Sequence, residues 1–361
     1  MSDPTFSMMT CAVGAEVPLK TEVAELGWRL AFSRPGFVTA KHDKPGADLP
    51  HGIFVRTASR SLGHLRGSDG DQLIGQLGEL LSSSKPDRVF DELHVWPRDR
   101  LPIGKFGFEP ELDEVSKLVA QQIVEKLPAE RIKARVPNQV AAHNSCVLDV
   151  VLVDPNDWFI GWHDIGPAPD DGQHQHANGV DWPLRWPGGL QPIVPKYEPI
   201  SRAYFKAAEA MDWSGFPFRE RDVAVEVGSA PGGACGRMLE LGLKVIGIDP
   251  ADMDPRIANH PRFTHHRARA GDLPRKVFRG ARWLFADSNV KPDKMLTTVE
   301  NIVTHRDRTI EGLLLTFKLG DYSAAAEIPA WRTRIEQWGP SQIRVRQLAR
   351  NRCEVCFAIR F

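Results

Sequence analysis

The sequence predicts an α/β chain. Its C-terminal part reads as a doubly wound, Rossmann-like sheet with an antiparallel final hairpin, preceded by an α+β region. Three observations predict this. Val223, Ala224, Val225 and Val227 form a short apolar, β-branched run that breaks into Gly228, Ser229, Ala230, Pro231, Gly232 and Gly233 before a helix-like segment. A second run, Lys244–Asp249, ends in an acid 23 residues after Glu226, close to the spacing expected of a carboxylate that holds ribose hydroxyls. Strand-like runs then alternate with helical periods until the last two, which have no helix between them and so must pair antiparallel.

The glycine turn lacks the G-x-G-x-x-G of dinucleotide enzymes and the G-K-[ST] of phosphate-binding loops. Its glycines still let a backbone pass close to a ligand, and the helix start offers free N–H groups. With 361 residues, 42% hydrophobic and 25% charged, the chain has room for two or three globular domains. Its first residues have neither a basic start nor an apolar core, so no signal peptide is expected. Five scattered cysteines suit a reducing cytosol, and no apolar run reaches membrane-spanning length. Net charge is zero but uneven. From Lys196 onward there are 27 basic and 20 acidic residues, against 19 and 26 before it. Either the C-terminal half meets a polyanion or the two halves attract each other.

Taken in order, residues 1–165 read as α+β. Leu19, Val23, Leu26 and Leu30 form a helical stripe over Pro18–Leu30, with Pro18 in the first turn. Phe37–Ala40 and His51–Arg56 read as strands, Leu73–Leu81 as a helix, and Arg88–Trp96 as a strand. Val115–Leu127 is amphipathic. Val147–Val153 and Trp158–Trp162 form a hairpin about Asp154, Pro155 and Asn156. No catalytic constellation is visible there. Residues 166–199 form a linker, with seven prolines and five glycines between Asp164 and Ile200. His174 and His176 lack a second ligand pair, so no metal is expected, and Trp182 and Trp186 are expected to pack the linker down.

Residues 200–361 open on a helix from Ser201, a plausible N-cap, through Lys206. Further strands are Arg262–Ala270, Trp283–Asp287, Leu313–Leu319, Gln342–Gln347 and Glu354–Phe361, with a helix over Glu327–Trp338. Ligands bind at the carboxyl ends of such strands. The glycine turn, Asp249, Asp287 and Lys318 all reach that edge. A lysine closing the apolar run L-L-L-T-F-K-L is costly unless paired or at the strand end. Cys353 and Cys356 form C-x-x-C, but residues three apart in a strand face opposite ways, so both read as structural.

Together S-R-A-Y-F-K, E-V-G-S-A-P-G-G, D-S-N-V-K-P, T-F-K-L and R-C-E-V resemble the FtsJ-like 2′-O-ribose RNA methyltransferases, built on the class I methyltransferase sheet. T-C-A-V-G-A-E at Thr10–Glu16, P-G-F-V at Pro35–Val38 and V-L-V-D-P-N-D-W-F-I-G at Val151–Gly161 resemble the RlmM-type branch, in which a ferredoxin-like part and a THUMP RNA-binding domain come first. The resemblance implies a catalytic tetrad of Lys206, Asp287, Lys318 and Glu354, with Lys318 as general base for a ribose 2′-hydroxyl. It implies S-adenosylmethionine as cofactor. Asp249 would take the ribose hydroxyls and Ala230, Pro231, Gly232 and Gly233 the methionine part. Asp272 would lie near the adenine and Ser201 at the carboxyl end, with Glu226, Gly228 and Asp287 bordering the same molecule. Lys206 is expected to push Lys318 toward its neutral form, to roughly 7–8. The implied substrate is RNA, a cytidine of large-subunit (23S) ribosomal RNA. The rival readings are a methyltransferase of another RNA, one acting on a base nitrogen or a protein, and a non-catalytic RNA-binding protein that kept the fold. Glu226 where the family has Asp, and Ala234 and Cys235 after the double glycine, are departures.

Overall fold

The computed structural model describes residues 4–83, 88–168 and 183–361. His174, His176 and Trp182 lie outside the described residues. The chain divides into two compact units, Met1–Gln191 and Pro192–Phe361.

The first unit is one seven-stranded sheet in the order β2-β3-β1-β4-β7-β6-β5. Its strands are β1 (Thr5–Thr10), β2 (Arg29–Arg34), β3 (Phe37–His42), β4 (Thr57–Arg66), β5 (Glu92–Pro97), β6 (Cys146–Asp154) and β7 (Asp157–Asp164). Its helices are α1 (Glu16–Glu25), α2 (Gly70–Ser83) and α3 (Glu114–Lys126). The expected β6–β7 hairpin is antiparallel, and α2 and α3 lay Leu73, Leu77, Val119 and Ile123 into one core with Leu148, Val150 and Trp158. Two expectations need correcting. The helix expected over Pro18–Leu30 stops at Glu25, because Gly27 turns at φ +85° and Arg29–Arg34 joins β3 as a strand. His51–Arg56 is not a strand. Arg56 is buried in a two-point ion pair with Asp99, at 2.9 and 2.7 Å, and the ladder begins only at Thr57. The described end of the Pro/Gly-rich stretch makes two 3-10 turns, Pro183–Arg185 and Pro187–Gly189, which belong to this unit. Ala141 N–H donates to Arg185 O at 2.8 Å, and Gly188 leaves no room for a Cβ against the Trp96 ring.

The second unit carries β8 (Val223–Val227), β9 (Lys244–Ile248), β10 (Phe263–His266), β11 (Trp283–Ala286), β12 (Gly312–Lys318), β13 (Gln342–Arg346) and β14 (Glu354–Arg360). Their order is β10-β9-β8-β11-β12-β14-β13. The first five are parallel, and β14 is antiparallel to both β12 and β13, as the missing helix predicts. This is a Rossmann-like doubly wound sheet closed by an antiparallel hairpin. Around it lie α4 (Ala203–Ser214), α5 (Gly233–Glu240), the single turn α6 (Pro255–Ala258), α7 (Pro292–Val303) and α8 (Ile328–Glu336). Strand order reverses between β8 and β11, so the crevice of an open α/β sheet opens at Gly228 and Asp287.

Candidate active site

Four elements deliver the tetrad residues to one point. The antiparallel register sets Lys318, last in β12, directly opposite Glu354, first in β14. Residues so paired hold their Cβ atoms about 5 Å apart. Asp287 follows β11 beside them, and α4 brings Lys206 across the top. Lys206 Nζ meets Asp287 Oδ2 and Glu354 Oε1 at 2.6 Å each. Lys318 Nζ meets Asp287 Oδ1 at 2.9 Å and Glu354 Oε2 at 2.8 Å. Each carboxylate thus bridges both amines in a closed ring of alternating charge.

The ring also overturns the expected neutral Lys318. Burial works against its charge, but Asp287 and Glu354 outweigh burial and hold the ammonium above its ordinary value. Burial opposes charge on Asp287 and Glu354 as well, and there the two lysines win and hold both carboxyls low. In side-chain exposure Lys318 stands at 33% and Asp287 at 22%, against 8% for Lys206 and 2% for Glu354. Lys318 is therefore the member of the ring most open to an incoming group.

A cavity of about 210 Å³ opens on this ring, lined by all four residues and by Ser201, Glu226, Gly228 and Ala230 among others. Ser201 does not cap the helix: α4 starts at Ala203 with Arg202 at its cap position, and no side chain caps it. Its buried Oγ has no hydrogen-bond partner and lines the cavity instead. Gly228 takes φ +87°, and a Cβ there would lie 2.7 Å from Asp287 O. Only glycine fits such a turn without strain. Asp249 sits at the end of β9, where its carboxylate accepts from Ala230 N–H at 3.2 Å and Ala251 N–H at 2.8 Å, tying it to the glycine turn. Asp272 is exposed in a 3-10 turn after β10 and does not line the cavity.

Glu226 is buried under the turn and accepts from Cys235 Sγ at 2.7 Å. Burial, with Asp287 and Asp249 adding to it, pushes its carboxyl up to about 8 from 4.5. A carboxyl raised in the folded state binds its proton there while the unfolded chain has already lost it. Stability therefore falls as pH rises from about 4.5 to about 8, by up to ~1.4 kcal/mol per pH unit. Glu226→Gln should flatten that slope in urea unfolding across the window and leave the variant more stable at its alkaline end. Identical slopes in the two proteins would show that Glu226 is ionised.

Two nearby residues escaped the sequence reading. Glu209, one turn beyond Lys206, is buried and accepts from Ala349 N–H at 2.8 Å and Arg350 N–H at 2.9 Å, fixing the loop that leads into Glu354. An acid inside A-Y-F-K-A-A-E-A-M was the available signal. Arg352 lines the cavity from the same loop, exposed. Cys353 and Cys356 are free thiols raised by burial, in keeping with a structural role. Among the described residues no cluster of three or more His, Cys, Asp or Glu could hold a metal, and no helix is long and apolar enough to cross a membrane.

No family model matches the chain. Over 180 residues it is 29% identical to ribosomal RNA large subunit methyltransferase M of Aromatoleum aromaticum, covering 47% of this chain and 48% of that protein. The chain thus matches about half the length of this curated relative, which agrees with the resemblance read from the residues. Among solved structures, TrmN of Thermus thermophilus overlaps at TM-score 0.34 and 14% identity, with 99% of each chain covered. A Methanococcus jannaschii fibrillarin pre-rRNA processing protein overlaps at TM-score 0.36 and 12% identity, with 45% of this chain and 76% of that one covered. Likeness at that level bears on neither substrate nor chemistry.

Proposed function

We propose that the chain is an S-adenosylmethionine-dependent RNA methyltransferase acting on a ribose 2′-hydroxyl, its target a cytidine of large-subunit ribosomal RNA. The observation that carries this reading is the closed Lys206–Asp287–Lys318–Glu354 ring beside the glycine turn. A base nitrogen already offers a lone pair, whereas a 2′-hydroxyl must lose a proton to become a useful nucleophile. A half-buried amine that two carboxylates hold in place can take that proton once it has lost its own.

The residues fit the cofactor. Ser201 Oγ is an orphaned buried hydroxyl on the cavity, Gly228 forms a turn that no side chain can enter, and Asp249 stands at the next strand end. S-adenosylmethionine, when bound, supplies a methyl group on a sulfonium. Asp249 would accept from its ribose hydroxyls, the backbone of residues 230–233 would border its methionine part, and Ser201 would donate to its carboxylate. Lys318 first releases its own proton to solvent, then takes the proton of the 2′-hydroxyl on Nζ. Asp287 and Glu354 hold the ammonium so formed, and Lys206 keeps both carboxylates in place. Residues 1–165 are assigned the holding of RNA and residues 200–361 the chemistry.

The test uses purified protein, labelled S-adenosylmethionine and ribosomal RNA taken from cells lacking the gene. Label should enter the RNA as 2′-O-methyl at one cytidine. Asp249→Ala should weaken cofactor binding in calorimetry by about 1.5–3 kcal/mol, on the order of 10- to 150-fold. A chain begun at Pro192 should bind cofactor and lose transfer. Label on a base nitrogen, or on protein, would refute the assignment.

A further inference from the structure

Part of the excess positive charge of the second unit lies in one segment. Between Arg267 and Arg279 there are five basic residues and one acid. This segment runs from the end of β10 at the carboxyl edge of the sheet to the start of β11 at the opposite edge. With about 3.3 Å per residue, the four residues of β11 set those edges roughly 13 Å apart. Where the segment reaches the far edge it forms a cleft of about 140 Å³. Arg275, Lys276 and Arg279 come from one wall, and Arg308, just before β12, from the other.

Some exposed cations of this unit have acids beside them: Arg256 pairs with Asp254, Arg267 with Asp252 and Arg332 with Glu336. Arg269, Arg275, Lys276 and Arg279 are exposed and have no carboxylate within 4 Å among the described residues. Phe278, buried between them, pins the turn that carries them. Arg308 places its guanidinium carbon over the Phe361 ring, 3.8 Å from the centroid, and donates to Val303 O. The one acid lining the cleft, Asp307, lies closer to His305 and Arg306. Unpaired like charges repel and raise the energy of the folded protein. Such an arrangement is relieved by a partner that brings evenly spaced negative charge.

We propose that Arg269, Arg275, Lys276, Arg279 and Arg308 form a track for the phosphate backbone of the RNA substrate. The track leads from the carboxyl edge of the sheet, where the candidate active site lies, to the cleft at the opposite edge. The inference rests on the RNA-methyltransferase reading and adds to it an RNA-binding surface on the unit assigned the chemistry. At roughly 3.4 Å of rise per stacked nucleotide, about four nucleotides span the distance. The contacts are with phosphate, so they position the strand and read no sequence.

The test is fluorescence anisotropy of a short labelled single-stranded RNA with the full chain, titrated across salt concentrations. The Arg275→Gln/Lys276→Gln/Arg279→Gln variant should bind every RNA sequence more weakly, and its slope of log affinity against log salt should shrink by about 2 to 3. Its S-adenosylmethionine affinity in calorimetry should equal wild type, showing that the cofactor site is folded. Arg332→Gln, which removes a cation from α8, should leave the slope unchanged. A slope and affinity like wild type in the triple variant would overturn the proposal, including the case in which the cleft serves an acidic protein. That failure is distinct from failure of the proposed function, in which wild type itself moves no methyl group to RNA.

Discussion

Lys318→Arg should cut methyl transfer by about 10²- to 10⁴-fold, the usual worth of a general base, while cofactor and RNA affinity stay near wild type. Arginine keeps the positive charge and can still pair with Asp287 and Glu354, but it does not deprotonate. The ring also decides the pH profile. Because the two carboxylates hold Lys318 above the ordinary lysine value, the resting protein carries the protonation state that cannot act as a base. The neutral fraction then grows about tenfold per pH unit without saturating below about 10.4. The single-turnover rate should climb log-linearly with pH through the neutral and mildly alkaline range, with no plateau near 7–8. The assay uses RNA bearing the target site and a control with a 2′-deoxy target. A variant that keeps most of its rate, or methylation of the 2′-deoxy RNA, sinks both the base and the 2′-O chemistry. A plateau near neutrality would mean that bound RNA breaks the ring's hold on Lys318.

The C-terminal sheet was legible because its signals are local. Val223–Val227, apolar but for Glu226, and Val245–Ile248 are short runs suited to strands covered on both faces, and the residues that follow them, Gly228 and Asp249, are explained by the sheet edge. Even the antiparallel end of the sheet could be inferred, from the absent helix between β13 and β14. The charge state of Lys318 was not legible. It depends on Asp287 and Glu354 both reaching the same amine, and sequence spacing shows neither distance. The same holds for Glu209, whose partners lie 140 residues away along the chain. In the first unit the errors came from competition between local and tertiary preferences. Leu26 and Leu30 extend the helical period of α1, yet Leu30 is half exposed in a strand that β3 recruits. Arg56 closes what reads as a strand, but its side chain is committed to Asp99 in the interior.

Glu354→Ala should be the most damaging single change to stability in the site, by about 3–5 kcal/mol. Glu354 is almost fully buried and serves both lysines; without it, two cations share Asp287 alone and one is left partly unpaired in a poorly solvated place. The loss separates into structure and chemistry by a second variant. A buried ion pair replaced by apolar residues of similar size often loses nothing in stability. Lys206→Met/Glu354→Leu should therefore recover much of the stability that Glu354→Ala loses, because the remaining Lys318–Asp287 pair is still balanced. Methyl transfer should stay lost in the double variant, since Lys318 then has one carboxylate in place of two and Asp287 has lost the contact that fixes it from α4. Urea unfolding and single-turnover transfer on the same preparations give the two answers. If Glu354→Ala unfolds within about 1 kcal/mol of wild type, the ring is not held as tightly as its geometry implies. If the double variant regains both stability and rate, Lys206 and Glu354 only fill space, and the chemistry belongs to Lys318 and Asp287 alone.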